Sequence, residues 1–175
     1  ILNKHISEAT YYRLFIDKII DDKEKFKKAV YIDSDIICLN NPIDMINNSY
    51  EGLKDEKVLL GAKTDSDQNQ YHFNYFNAGV LIFDYCEWTE NEVFENLRKI
   101  LKKNEENFQY WDQDVLNYFF KGKYKEIDEA LNFEIEITEN NNDYSINEKV
   151  VFLHYLGNKK PWHISNLIHK SSHIY

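Results

Sequence analysis

The chain is predicted to be α/β, and three observations carry that prediction. Short continuous apolar runs end in charged or polar residues, helical apolar stripes lie between them, and the chain is long enough to bury a core. Its 175 residues are 43% hydrophobic and 15% aromatic, too apolar for a disordered chain. With two prolines and five glycines it has no linker, so one domain over 1–175 is the simplest division.

In chain order, residues 7–20 place Tyr12, Phe15, Ile16, Ile19 and Ile20 on an apolar stripe, a predicted helix closed by Asp21, Asp22 and Lys23. Residues 29–32 read as a strand buried on both faces, because their apolar side chains run on without alternation, and they end at Asp33, Ser34 and Asp35. The same pattern recurs at 58–62 before the polar loop 63–70, at 78–83 before Asp84, and at 150–153 before His154. Helices are predicted at 89–103, with Val93, Leu97, Ile100 and Leu101 on one face, and at 112–120. In open α/β sheets ligands collect outside the carboxyl ends of strands, where this chain places its Asp, Asn and His residues.

Charge and cysteine usage narrow the function. A net charge of -9 with interspersed lysines repels phosphate backbones, so nucleic acid is not an expected partner. Cys38 and Cys86 sit in or beside apolar runs, which supports neither a disulfide scaffold nor a cysteine zinc site and suits a reducing, cytoplasmic setting. No apolar stretch approaches the roughly 20 residues that span a bilayer. The chain opens on Ile1 with no strand before its first helix, so an N-terminal truncation is expected, with a further segment or another chain covering an exposed sheet edge.

Several groups have the chemistry of a site. Asp33 and Asp35, two apart on extended backbone, can share a divalent cation, although an acidic turn is the ordinary alternative. Asp65 and Asp67 form a second pair, with a solvated loop the plainer reading for Asp67. His154 can complete a mixed oxygen and nitrogen metal site, Gly157 lets backbone approach a phosphate, and Lys160 supplies a point charge. Asp112, Gln113 and Asp114 open a helix, where acids cap well, and also suit contact with sugar hydroxyls. Asn77, Ala78 and Gly79 combine an amide with two small residues, fit for close packing against a flat polar ring.

Read in order, the blocks Ala9-Thr10-Tyr11-Tyr12-Arg13-Leu14, Val30-Tyr31-Ile32-Asp33-Ser34-Asp35, Tyr75-Phe76-Asn77-Ala78-Gly79-Val80-Leu81, Trp111-Asp112-Gln113-Asp114-Val115-Leu116-Asn117 and 154–163 resemble the family 8 glycosyltransferases. The last block is most similar to the bacterial lipopolysaccharide galactosyl- and glucosyltransferases. The resemblance implies a GT-A fold, a Rossmann-like mixed sheet flanked by helices, here lacking its N-terminal βα units. It implies retaining transfer of a hexose from a UDP-sugar to a saccharide or glycolipid acceptor. Asp33, Asp35 and His154 would hold Mn2+ or Mg2+ against the diphosphate, with Gly157 and Lys160 on the phosphates. Arg13, Asn77, Ala78, Gly79, Asp112 and Gln113 would surround the donor sugar, Gln113 nearest the anomeric carbon, and Asp65 would contact the acceptor. Base recognition is expected to be weak without the front of the fold, and membrane contact is expected to be peripheral. An alternative is a haloacid-dehalogenase-like phosphatase with Asp33 as nucleophile; another is a metal-dependent sugar-binding remnant.

Overall fold

The computed structural model describes residues 8–20, 25–65, 72–104, 108, 110–137 and 146–163. Asp67, the helix stop at 21–23 and the tail from Ile164 lie outside the described residues. Two mixed sheets form the frame. The larger joins β1 (Lys28–Ile32), β4 (Phe76–Asp84), β3 (Leu60–Thr64) and β5 (Lys125–Glu126) in that order, and only β3 and β5 run parallel. The smaller joins β2 (Ile36–Cys38), β7 (Phe152–Leu156) and β6 (Phe133–Glu136), with β6 parallel to β7.

β4 is the spine, buried along its whole length. On one side, Phe76, Ala78, Leu81 and Phe83 pack with Leu14, Trp88, Leu97, Val115 and Phe120, drawn from the N-terminal segment, α3 (Tyr85–Glu90), α4 (Val93–Asn104) and α5 (Trp111–Phe120). On the other, Val80 and Ile82 pack under Ile46, Tyr50 and Leu53 of α2 (Ile43–Glu56). Residues 76 and 78 share a face with 81 and 83, so the two-residue alternation breaks between them. The β3–β4 register shifts at the same place, between Gly61 and Lys63. Such an irregularity re-aims side chains; here it turns Asn77 toward the smaller sheet.

Three expectations are corrected. The first helix is a 3-10 segment over Glu8–Phe15 followed by a short α1 (Ile16–Ile19), and the three-residue period sets Tyr11 and Leu14 on one core-facing side. β1 is half-buried rather than buried on both faces, because among the described residues it pairs only with β4, and Ile32 is 41% exposed. The helix predicted at 89–103 is two helices, broken where Glu92 adopts φ +49. The side chains of Thr89 and Asn91 donate to the carbonyls of Tyr85 and Glu87, which closes α3 early.

Candidate functional site

The N-terminal segment, the turn after β1 and the start of α5 meet at Arg13. This guanidinium is 7% exposed and forms ion pairs of 2.7 Å with both Asp33 and Asp112, donates to the carbonyl of Ala78, and lies 4.3 Å over the Tyr31 ring. Tyr31 also donates to Asp33 at 2.6 Å, and burial raises its phenol above the ordinary range. Burial pushes the Asp112 carboxyl up to about 6; Arg13 opposes the shift and Asp33 adds to it. One cation facing two carboxylates cannot neutralise both, so desolvation wins at the more buried of them.

α5 places the neighbouring groups. Its first residue, Trp111, has φ +46, an uncommon backbone at the point where Asp112 enters the cluster. Asp114, one turn in, accepts from the Tyr110 amide at 2.6 Å and from the Tyr75 hydroxyl at 2.7 Å. Asp112 faces Arg13 and also accepts from its own amide and that of Gln113 at the start of the helix. Gln113 Oε1 accepts from the Ala78 amide at 2.8 Å, and Asn117 clamps both backbone groups of Phe76 at 2.8 Å.

The second half of the site is a relay of amides ending on an imidazole. Asn77 Oδ1 accepts from the Gly79 amide at 2.8 Å and from Asn132 at 3.0 Å, so the Asn132 oxygen is left to accept from His154 Nδ1 at 2.9 Å. His154 lies inside β7 rather than beyond its end, and is 4% exposed. With Nδ1 donating, Nε2 turns to Asp35 Oδ1 at 3.4 Å, an oxygen buried with no hydrogen-bond partner. Two such acceptors require a proton or a cation between them. Gly79 makes the approach possible: a Cβ there would lie 2.3 Å from His154 Cε1. The flat polar ring against Gly79 is thus an imidazole of the protein itself.

Asp33 and Asp35 lie in the turn beyond β1 and diverge, Asp33 toward Arg13 and Asp35 toward Lys160 Nζ at 2.6 Å. Even so, one ligand atom from each of Asp33, Asp35 and His154 falls within 4.8 Å of the others. Burial pushes Asp35 up, but His154 and Lys160 outweigh it and hold its carboxyl at about 2. Lys160 also donates to the Tyr155 carbonyl. Gly157 has φ +69, and a Cβ there would lie 2.9 Å from Glu136 Oε1. Asp65 lies just after β3, outside the Arg13 and metal clusters, its amide bonded to the Tyr75 carbonyl at 2.8 Å. Sequence reasoning passed over Tyr31, Asn117 and Asn132; a lone Asn between Leu131 and Phe133 was the only signal for the last.

Comparison with known proteins supplies the family and the fold. Glycosyl transferase family 8 matches residues 2–165. The chain is 27% identical to the lipopolysaccharide 1,3-galactosyltransferase of Salmonella typhimurium over 91% of its own length and 51% of the relative's. It is 27% identical to the lipopolysaccharide 1,2-glucosyltransferase of Escherichia coli, over 90% of this chain and 50% of the relative. It therefore spans about half the length of these curated relatives. Among solved structures, the galactosyltransferase LgtC superposes with a TM-score of 0.76 at 24% identity, over 99% of this chain and 67% of LgtC. GlyE of Streptococcus pneumoniae superposes with a TM-score of 0.72 at 24% identity, over 94% of this chain and 41% of GlyE. The α/β architecture is thus the GT-A glycosyltransferase fold. A match across nearly the whole sequence, on a fold that gathers Arg13, Asp33, Asp35, Asp112 and His154, shows that the chain belongs to glycosyl transferase family 8.

Proposed function

We propose that residues 1–175 form one domain carrying the donor and metal subsites of a retaining hexosyltransferase. It moves galactose or glucose from a UDP-sugar to a saccharide or glycolipid acceptor, in the synthesis of lipopolysaccharide or another surface glycan. The observation that carries this reading is the convergence of Asp33, Asp35 and His154 beside the Arg13–Asp112 pair. The Salmonella galactosyltransferase and the Escherichia glucosyltransferase to which the chain is similar support the substrate class.

Two carboxylates and an imidazole Nε2 are a fitting donor set for Mn2+ or Mg2+, and the partnerless Asp35 Oδ1 gives that cation a place. When bound, the cation neutralises charge on the diphosphate leaving group. Lys160 brings a second positive charge to the same corner, and Gly157 turns the backbone there. On the sugar side, Asp112 accepts hydrogen bonds from hydroxyls, Arg13 holds Asp112 in place, and Asn77, Ala78 and Gly79 form the floor. Gln113 Oε1, the oxygen that a covalent adduct would use, is engaged by the Ala78 amide. That engagement favours attack of the acceptor on the face from which UDP departs. Family membership sets the phosphatase alternative aside. No helix among the described residues is long and apolar enough to cross a membrane; contact with a membrane surface, from the cytoplasmic side, is part of the proposal.

The test is a screen of UDP-hexoses with Mn2+, following UDP release and sugar transfer with and without chelator. Metal-dependent release from one UDP-hexose is expected. Binding of the donor without any turnover would make the chain a sugar-binding remnant instead.

A further inference from the structure

Beside the metal corner lies a charge pair that the donor-side roles leave unused. β3 and β6 belong to different sheets, yet Lys63 Nζ reaches Glu134 Oε2 at 3.2 Å, with side-chain exposures of 17% and 20%. Lys63 stands opposite Asn77 on β4, and Glu134 opposite His154 on β7. Residues directly opposite across a ladder share a face, so the pair borders both the sugar floor and the metal corner. Asp65, two residues beyond Lys63, follows on the same face, and its charge acts on Glu134. The remaining oxygen of Glu134, Oε1, is buried with no hydrogen-bond partner. A buried acceptor without a donor is unfavourable, and turning the one-fifth-exposed Glu134 carboxylate outward lets a hydroxyl donor relieve it. Burial also pushes the Glu134 carboxyl above its ordinary value, against the pull of Lys63 and His154.

We propose that Lys63 and Glu134 clamp the acceptor, an uncharged saccharide, through two adjacent hydroxyls. Lys63 donates to one hydroxyl oxygen and Glu134 accepts from the other hydroxyl. This rests on the transferase reading of the site. A diol matches an ammonium beside a carboxylate, whereas a uronic acid would meet Glu134 and Asp65 with its own negative charge. The clamp therefore selects neutral acceptors.

The experiment compares wild type, Glu134→Gln and Lys63→Met with UDP-galactose and UDP-glucose in Mn2+, measuring transfer to water and transfer to neutral saccharides and the matching uronic acids. Acceptor KM should rise about tenfold in either variant, the scale of one hydrogen bond to a charged group. Hydrolysis of the donor should change less than twofold, and Glu134→Gln should narrow the preference for neutral acceptors. Saturation-transfer NMR of the saccharide should weaken in parallel. An unchanged acceptor KM, or equal losses of hydrolysis and transfer with a lowered melting temperature, would overturn the clamp and make the pair a strut between sheets. Absence of donor hydrolysis in the wild type is a different failure, since it removes the transferase reading itself.

Discussion

Arg13 balances two carboxylates with one charge, and the imbalance is measurable at Asp112. Its pKa is raised from 3.8 to about 6, so the folded state holds the proton more tightly than the unfolded state does. The stability this contributes is complete below about pH 4 and is lost as pH rises through about 6, a change of about 3 kcal/mol. Asp35 has the opposite sign: held at about 2, it contributes stability above about pH 4 that disappears as pH falls through 2. Urea melts in chelator from pH 4 to 7 should show Asp112→Asn lacking the downward slope of the wild type. Parallel slopes would mean that Arg13 fully compensates the carboxylate. Asp112→Asn should also lower transfer roughly a hundredfold with the fold intact, because Asn can accept from the first amides of α5 about as well as Asp does. Asp33→Ala and Asp35→Ala should each weaken Mn2+ binding more than about a hundredfold, read by paramagnetic resonance; unaltered binding would remove both from the metal corner. These carboxylates were legible in the sequence because a strand ending in Asp-x-Asp is a local pattern. Asn132 was not, since its role is defined by Asn77 and His154, which are remote in the chain.

At the scale of elements, the irregularity in β4 ties packing to the site. Gly79 leaves the space that His154 fills, so Gly79→Ala should cost about 1–3 kcal/mol by overpacking and weaken Mn2+ binding about tenfold or more. Calorimetry of Mn2+ binding to a folded Gly79→Ala protein checks it; normal affinity would show that the ring can move without harm. The strands at 58–62, 78–83 and 150–153 were legible within a few residues, since short continuous apolar runs suit strands buried on both faces. α2 was not, because Asn47, Asn48, Ser49 and Gly52 dilute its pattern and only Ile46, Tyr50 and Leu53 reach the core. The break between α3 and α4 was hidden for the opposite reason: the apolar stripe runs through it, and side-chain bonds to the backbone end the first helix.

For the whole molecule, β4 carries a core on each face, and the site sits where the two sheets meet. Ligands that bridge the turn after β1, β7 and α5 should stabilise the folded state as a unit. Mn2+ with UDP at about a hundred times the dissociation constant should add about 2.7 kcal/mol, seen as a rise in melting temperature that chelator reverses. A rise unaffected by chelator would separate nucleotide binding from the metal. By itself the sequence determined the α/β class, the order of its main strands, and the identities of the acidic, amide and imidazole groups, because apolar runs and strand-end polar residues are properties of neighbours in the chain. Only the tertiary structure decided which atoms face one another. The Arg13 share between Asp33 and Asp112, the His154 tautomer imposed by Asn132, and the Lys63–Glu134 bridge between sheets all join residues from separate elements. Their geometry follows from strand register and packing, which no local pattern encodes.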